Sequence, residues 1–304
     1  MRHYILNPLI FILFSCQQEK NVSRENNDNT YQILESTTVS VIRDLYLPDS
    51  LYFAGERVPI EEEHVKEAIQ KELMVNAFRH SKAIHLLKNI TRWKPMIDSI
   101  LKSNNVPEDF IYLAVTESYL ENVARSGVGA SGMWQFMPKT GKEYGLTITK
   151  DYDLRRDPWL ATQAACAYLK KSYLKFKNWT LVAASYNRGI KGISRALENQ
   201  KVNSFYDLYL NAETSRYIFR IISFKLILEN PEKYGFLIKD NEKYKPYQFE
   251  EKEITQSISS LVDYAKKQKT TYKQLRLVNP WLNNASSFSL KVKKGDTLTL
   301  RIPK

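Results

Sequence analysis

Helical spacing of apolar residues fills most of this 304-residue chain, and strand patterns are almost absent before residue 250. Val65, Ile69 and Leu73 recur every fourth residue, which is typical of a helix face that packs on a core. Asp157 and Pro158 form a strong helix start, because aspartate caps free amide groups and proline fits the first turn. The sequence therefore predicts a mainly α-helical fold.

The predicted helices are separated by polar or glycine-containing turns. They begin near residue 60 and continue at 83–89, 94–102, 107–117, 140–144, 157–175, 180–185 and 213–229. The last fifty residues follow a different pattern, which is a short strand at 254–258, helices at 261–267 and 271–278, and alternating apolar residues from 290 to 303. This order predicts a separate β-α-α-β domain at residues 250–304.

The N-terminus carries the pattern of an export signal. Arg2 precedes an apolar run at residues 5–14, which is too short to span a bilayer but fits a secretory signal. The run ends just before Cys16, in a segment that resembles the cleavage box of bacterial lipoproteins. We predict a signal peptide at residues 1–16, lipidation of Cys16, a flexible tether at 17–50, and a place in the cell envelope, at the outer membrane facing the periplasm. An ordinary signal peptide with an incidental cysteine is the alternative.

Charge and cysteine content narrow the function classes. A formal net charge of +12 favours an acidic partner, such as nucleic acid, an anionic membrane or an acidic wall polymer. No run of lysine and arginine stands out, so specific nucleic-acid binding is the weakest of the three. Cys166 is the one cysteine besides Cys16, and no group of histidines and cysteines has the spacing of a metal site. We expect no metal and no cofactor, and we expect a monomer.

Glu117 is the strongest catalytic candidate. Leu113, Ala114 and Glu117 share one helix face, so the carboxyl group is expected to lean against apolar side chains. Burial of that kind raises a carboxyl pKa, and a protonated glutamic acid is the general acid that glycosidic cleavage requires. The alternative is an ordinary helix glutamate that faces solvent.

The segment after Glu117 strengthens the catalytic interpretation. A glycine-rich loop at residues 126–132 is followed by Gln135 between apolar residues, which are Met133, Trp134, Phe136 and Met137. An amide that donates and accepts hydrogen bonds, set in an apolar platform, suits a sugar-binding subsite.

The motifs of this region resemble a known family. The chain is similar over residues 51–236 to the family 23 lytic murein transglycosylases, in their membrane-bound type D branch. The shared motifs occur in the same order and are Glu117-Ser118, the segment 126–132, Trp134-Gln135-Phe136-Met137-Pro138, Ala184-Ser185-Tyr186-Asn187-Arg188-Gly189 and Glu213-Thr214-x-x-Tyr217. The resemblance implies a lysozyme-like (goose-type, or SLT) catalytic domain at residues 51–245, with peptidoglycan glycan strands as its substrate.

The resemblance also implies roles for single residues. Glu117 would be the acid and base, and Tyr186 would hydrogen-bond near its carboxyl group. Glu213 would lie near the groove, within reach of the stem peptide. The residues expected to line the subsites for the glycan and its N-acetyl groups are Ser126, Gln135, Met137, Tyr186 and Asn187.

This chain offers one convincing catalytic carboxylate, whereas ordinary glycosidases use two. Glu121 lies one turn beyond Glu117 and is expected to be a surface charge, because an i+4 neighbour points along the helix. The family's reaction needs one acid, because the substrate's acetamido and C6 hydroxyl groups close a 1,6-anhydro ring on N-acetylmuramic acid. A muramidase that hydrolyses the same bond, and a non-catalytic wall-binding or scaffold protein, stay open as alternatives.

The C-terminal residues resemble a LysM domain, which is a β-α-α-β carbohydrate binder. The asparagine-proline segment at Asn279-Pro280 and the closing strand that follows Gly295 match that pattern. The usual Gly-Asp-x-Leu after the first strand is replaced by Gln256-Ser-Ile-Ser. Glycan binding and structural support of the catalytic domain are both open interpretations of this domain.

Overall fold

Ten α-helices and two antiparallel strand pairs make up the described part of the chain, residues 44–283 and 288–304 of this computed structural model. The predicted signal peptide, Cys16 and most of the predicted tether lie outside the described residues. The helices, in chain order, are α1 (Glu63–Ala77), α2 (His80–Ser103), α3 (Phe110–Ser118), α4 (Pro138–Glu143), α5 (Pro158–Phe176), α6 (Trp179–Arg188), α7 (Ile190–Gln200), α8 (Ala212–Glu229), α9 (Leu261–Lys267) and α10 (Tyr272–Val278).

The strands form two separate small sheets. Strand β1 (Tyr52–Phe53) pairs with β2 (Glu56–Arg57), and the register places Tyr52 opposite Arg57. Strand β3 (Phe249–Ile254) pairs with β4 (Leu298–Pro303), from Phe249 opposite Pro303 to Ile254 opposite Leu298. Three short 3-10 helices lie at Leu154–Arg156, Pro231–Tyr234 and Asp240–Glu242.

The predicted mainly α-helical fold is confirmed, and α5 shows why its start is readable from the sequence. One carboxylate oxygen of Asp157 accepts hydrogen bonds from the backbone amides of Trp159 and Leu160, both at 3.0 Å. Pro158 occupies the first helical position, where its missing amide costs no hydrogen bond. The cap and the proline together fix the helix boundary.

The structure differs from the prediction in two helices. Residues 83–89 and 94–102 belong to one helix, α2, which continues through Pro95. Proline removes one backbone hydrogen bond there, but Ile90, Trp93 and Ile97 keep a buried face on the core across the break. Helix α7 is absent from the helices predicted from the sequence. It follows α6 after a single residue, Gly189.

Helix α3 is the centre of the helical core. Its residues from 110 to 116 are all buried, and it packs against α8, which also packs against α1. A helix surrounded in this way has no solvent face of its own. The C-terminal end of α3 carries Glu117, so the core sets the position of that side chain.

The C-terminal β-α-α-β residues pack on the start of α5, and residues 44–304 form one compact unit. Arg301 of β4 and Asp157 form an ion pair of 2.6 Å, with both side chains buried. The Asp153 amide donates to the Trp281 carbonyl oxygen at 2.8 Å, and the Trp159 and Phe249 rings meet edge to face. The boundary predicted between residues 245 and 250 stays a prediction.

Within the C-terminal region, the first strand begins earlier than predicted. Strand β3 ends at Ile254, whereas the sequence pattern placed the strand at residues 254–258. Four successive positions of β3, residues 250–253, are charged, and none of the four is buried. Asn279, fully buried, donates to the carbonyl oxygens of Leu275 and Arg301 at 2.8 and 2.6 Å, so the asparagine-proline segment joins α10 to β4.

Candidate active site

Glu117 lies in the last turn of α3, half-buried, one residue before the helix ends. The chain turns sharply after it, because Tyr119 and Leu120 both adopt left-handed backbone conformations, with φ values of 55° and 61°. The Ser118 hydroxyl donates to the Met133 carbonyl oxygen at 2.7 Å. This bond ties the end of α3 to the glycine-rich loop.

The Glu117 carboxyl group has the electrostatics of a general acid. Burial raises its pKa to about 7. The Tyr217 hydroxyl, which donates a short hydrogen bond to Oε1, and the charge of Arg220 act in the opposite direction, whereas Glu213 adds to the rise. A carboxyl group with this pKa is partly protonated at neutral pH, so it can give a proton and later take one.

Tyr186 lies near Glu117, but a different tyrosine donates to the carboxyl group. The Tyr186 hydroxyl donates to the Trp134 carbonyl oxygen at 2.9 Å, and Tyr217 of α8 makes the bond to Glu117. Burial, together with the nearby Glu117 charge, raises the pKa of both phenols well above the ordinary value, so both stay hydrogen-bond donors.

The sequence contained a signal for Tyr217. It lies four residues after Glu213 in the Glu-Thr-x-x-Tyr motif, and that interval places both side chains on one face of α8. The resemblance assigns Glu213 of this motif to the groove, and the structure shows that the tyrosine of the motif bonds directly to Glu117.

The glycine-rich loop is held by close backbone contacts. Gly132 has a φ of 84°, and a Cβ atom there would lie 1.9 Å from the Arg155 carbonyl oxygen. The Arg155 guanidinium donates to the carbonyl oxygens of Gly129 and Phe136, both at 2.8 Å, and Asp153 pairs with it at 2.7 Å. The loop therefore requires glycine at position 132 for steric reasons.

Ser126 closes the same loop. Its amide donates to the Ala130 carbonyl oxygen and its hydroxyl accepts from the Ala130 amide, both at 3.0 Å. Within the described residues, Ser126 is not among the side chains that line the cavity beside Gln135. Ser126 therefore has an observed contact within the loop, and its predicted contact with substrate stays a prediction.

The apolar residues predicted as a platform after the loop are mostly buried, although Phe136 and Met137 line the cavity beside Gln135. Met133, Trp134 and Phe136 are buried, at 1%, 0% and 3% exposure, and Met137 is 41% exposed. The Trp134 ring nitrogen donates to the Thr162 hydroxyl at 2.9 Å, which fixes the ring in the core. These residues anchor the loop, and Met137 alone of the four offers a large apolar surface to solvent.

Four of the predicted substrate residues come together at one cavity of about 280 Å³. They are Gln135, Met137, Tyr186 and Asn187. Gln135 has a left-handed backbone, φ 49°, and its amide nitrogen donates to the Gly132 carbonyl oxygen at 2.8 Å. The amide donor thus serves the loop, and the side-chain oxygen is the acceptor that remains for a ligand.

Asn187 links the cavity to α8. Its side-chain nitrogen donates to Glu213 Oε1 at 3.1 Å, and its oxygen accepts from the Thr214 hydroxyl at 2.8 Å. Gly189, with a φ of 80°, ends α6 just beyond. These bonds hold Glu213 at the start of α8, one turn before Tyr217.

Glu121 is exposed, as expected of a surface charge, and pairs with His85 Nε2 at 3.1 Å. Cys166 is buried, and burial raises its thiol pKa to about 11, which disfavours a nucleophilic thiolate. Across residues 44–283 and 288–304, no three histidine, cysteine or acidic residues gather as a metal site. No helix in those same ranges is long and apolar enough to cross a membrane.

Comparison with known proteins gives two domain matches and several curated relatives. Residues 95–208 match the Transglycosylase SLT domain, and residues 250–304 match the Soluble lytic transglycosylase C-terminal LysM-like domain. Membrane-bound lytic murein transglycosylase D of Escherichia coli K12 is 31% identical over 191 residues, which are 60% of this chain and 41% of that protein. The chain thus spans less than half the length of this curated relative.

Two solved structures resemble parts of the chain. The 70 kDa soluble lytic transglycosylase of Escherichia coli is 18% identical, with 59% of this chain and 33% of that chain covered and a TM-score of 0.41. An inactive mutant of lytic transglycosylase Slt from Pseudomonas aeruginosa is 18% identical, with 64% of this chain and 34% of that chain covered and a TM-score of 0.37.

The domain matches agree with the helical core, with Glu117 at the end of α3 and with the β-α-α-β residues that follow. They confirm the predicted resemblance to the lytic murein transglycosylases. The chain carries a transglycosylase SLT domain followed by a LysM-like C-terminal domain.

Proposed function

We propose that this chain is a peptidoglycan lytic transglycosylase that cleaves the β-1,4 bond between N-acetylmuramic acid and N-acetylglucosamine. The observation that carries the proposal is the Glu117 carboxyl group, half-buried with a pKa raised by burial to about 7, in a transglycosylase SLT domain. The cavity beside Gln135 and Asn187 supports a glycan ligand, because its walls combine amide groups with an aromatic ring.

The first step uses Glu117 as an acid. Its proton passes to the oxygen of the leaving N-acetylglucosamine as the glycosidic bond breaks. The substrate's own acetamido oxygen bonds to the anomeric carbon and stabilises the positive charge that develops there. Tyr217 donates to Oε1 and stabilises the carboxylate that remains, which leaves Oε2 for the proton transfer.

The second step uses the same group as a base. The Glu117 carboxylate takes the proton of the C6 hydroxyl, and the C6 oxygen displaces the acetamido oxygen from the anomeric carbon. The product is a 1,6-anhydro ring, no water is consumed, and Glu117 regains its proton. A pKa near neutrality suits both directions of proton transfer.

Mass analysis of the products from purified sacculi tests this proposal. A lytic transglycosylase leaves 1,6-anhydro ends, which are lighter by one water than the reducing ends that hydrolysis leaves. We expect anhydro ends to dominate at pH 7. Reducing ends alone would contradict the proposal.

Hydrolysis by a muramidase has one observation in its favour. Glu213 is a second carboxylate whose charge acts on Glu117, and a muramidase needs two acids. Asn187 holds the Glu213 carboxylate at 3.1 Å, however, which favours a positioning role. Glu213→Gln separates the two functions, because a muramidase would lose its second acid and a transglycosylase would keep forming anhydro ends.

We further propose attachment to the cell envelope through a lipid on Cys16. The signal-like segment before Cys16 and the relative described as membrane-bound support this assignment. Cys16→Ala should move the protein from the membrane fraction to the soluble fraction and abolish fatty-acid labelling. Unchanged membrane attachment of the variant would contradict it.

A further inference from the structure

A buried carboxylate on α1 pairs with two arginines of α8. Glu72 is 1% exposed, and it lies before residues 95–208, which match the transglycosylase SLT domain. Its Oε1 accepts a short hydrogen bond from Arg216 Nε, and its Oε2 lies 3.6 Å from Arg220 Nε. These three side chains connect α1 to the helix that carries Tyr217, the hydrogen-bond partner of Glu117.

The two arginines hold Glu72 in different ways. Arg216 donates a hydrogen bond, whereas the 3.6 Å between Arg220 and Oε2 is an ion-pair separation beyond hydrogen-bond distance. Within the described residues, Glu72 Oε2 is buried and accepts no hydrogen bond. A buried carboxylate oxygen that cannot reach water depends on a nearby cation. Arg220 is therefore the group that compensates the charge on Oε2.

Arg220 also acts on the catalytic acid. It lies three residues after Tyr217, so the two side chains share one face of α8, and the Tyr217 hydroxyl donates to Glu117. The positive charge of Arg220 acts against burial and lowers the pKa of both Glu117 and Tyr217. Tyr217 and Glu213 of α8 also act on Glu117, and Tyr186 of α6 lies near it. Arg220 is the cation among these groups.

One guanidinium thus lies under the influence of two carboxyl groups, Glu72 and Glu117. An opposite charge in direct contact lowers a carboxyl pKa by about 1 to 3 units. An ion pair between Arg220 and Glu117 would therefore remove the proton that the first step of cleavage requires. The Arg220 side chain is 34% exposed, so packing does not lock the guanidinium in place. The attraction of Glu72 is what holds it.

We propose that Glu72 is a positioning residue of the active site, which holds the Arg220 guanidinium at α1 and keeps it from forming an ion pair with Glu117. This inference rests on the proposed function, since it concerns the same catalytic proton. Glu72 acts through Arg220 and not on the reacting atoms. The helix before the matched domain thereby contributes to the chemistry of that domain.

The pH–rate profile of sacculus digestion, measured from pH 5 to pH 9, tests the proposal. In Glu72→Gln the released guanidinium pairs with Glu117, so the alkaline limb should move to lower pH by about one unit. Arg220→Gln removes the cation, so the limb should move to higher pH. The double variant Glu72→Gln/Arg220→Gln should have the limb of Arg220→Gln alone, because Glu72 acts through Arg220.

The matched control is Glu67→Gln, which removes an exposed carboxylate from the same helix α1 and should leave the limb in place. Glu72→Asp keeps the charge but withdraws it by one methylene, so it should move the limb in the same direction as Glu72→Gln by a smaller amount. It serves if Glu72→Gln fails to fold. A limb that stays in place when Glu72 is changed, or that moves equally with and without Arg220, would overturn the proposal.

A titration of the Glu117 carboxyl carbon by NMR separates this inference from the proposed function, because it needs no activity. The Glu117 signal is the one that Glu117→Gln removes from protein labelled with carbon-13 glutamate. We expect its midpoint to be lower in Glu72→Gln and higher in Arg220→Gln than in the unmodified chain. Shifted midpoints without anhydro ends from sacculi would contradict the proposed function alone. Unchanged midpoints together with anhydro ends would overturn this inference alone.

Discussion

Glu117 and Asp157 are two acids that the fold removes from bulk water, and their surroundings differ. Asp157 accepts from two backbone amides through one oxygen and pairs with buried Arg301 through the other. Glu117 receives one short hydrogen bond from Tyr217, and burial raises its pKa to about 7. An acid whose charge is fully compensated by hydrogen bonds and a cation stays ionised and stabilises the fold. An acid whose charge is only partly compensated can keep a proton, which is then available for chemistry.

The largest effect should come from removing the incompletely compensated acid. Glu117→Gln keeps the shape of the side chain but has no proton to transfer, so we expect the rate of sacculus digestion to fall at least about a thousandfold. The rate of soluble product release is the measurement. Glu121→Gln, one turn further along, is the matched control and should stay within about twofold. Digestion at the normal rate by Glu117→Gln would remove Glu117 from the reaction.

The next effect should come from breaking the compensated pair. Arg301→Gln leaves Asp157 buried without its cation, and we expect the free energy of unfolding to fall by about 3 to 5 kcal/mol. Denaturant unfolding measures this. The control is Arg57→Gln, which breaks the exposed Arg57–Glu61 pair of the same 2.6 Å separation and should leave the free energy of unfolding almost unchanged. Equal losses in the two variants would show that burial does not distinguish the pairs.

Ionisation of Glu117 should also lower the free energy of unfolding as the pH rises. Its pKa in the folded chain, about 7, lies above its ordinary value of 4.5, so between these values folding retains a proton that the unfolded chain has released. Stability should therefore fall through this window, and Glu117→Gln should be more stable by about 1 to 3 kcal/mol at pH 8. Unfolding curves at pH 4 and pH 8 measure the difference. A gain of the same size at pH 4 would exclude ionisation of Glu117 as its cause.

The smallest effect should come from the one hydrogen bond that Glu117 receives. Tyr217→Phe removes a bond that lowers the Glu117 pKa, so the alkaline limb of the pH–rate profile should move to higher pH. We expect the rate at pH 7 to fall about tenfold, because the carboxyl group also loses its orientation. Rates measured from pH 5 to pH 9 give both values.

Tyr112→Phe is the matched control for Tyr217→Phe. Tyr112 lies on α3, the helix that carries Glu117, and its hydroxyl donates to Glu229 at 3.1 Å. Tyr112→Phe therefore also removes a tyrosine–glutamate hydrogen bond, but one that does not involve Glu117. Its pH–rate profile should keep the alkaline limb of the unchanged protein. A shift of equal size in both variants would mean that the limb does not report the Glu117–Tyr217 bond.

The sequence by itself determined the helical class and the start of α5, and together with the family resemblance it predicted Glu117 as the catalytic acid. The first two follow from local rules, since apolar spacing, an aspartate cap and a proline act within a few residues of one another. The sequence also predicted Gln135, Met137, Tyr186 and Asn187 as substrate residues, and the structure brings these four to one cavity. Their contact with substrate stays a prediction.

The tertiary structure decided what depends on distant partners. Tyr217 reaches Glu117 across 100 residues and Arg301 reaches Asp157 across 144, and no local pattern encodes such a pairing. Trp134, expected in a platform for the sugar, is instead buried, and its ring nitrogen finds a distant partner in the Thr162 hydroxyl of α5. The sequence named the acid, but the core that packs around α3 decided its pKa, because burial is a property of the whole fold.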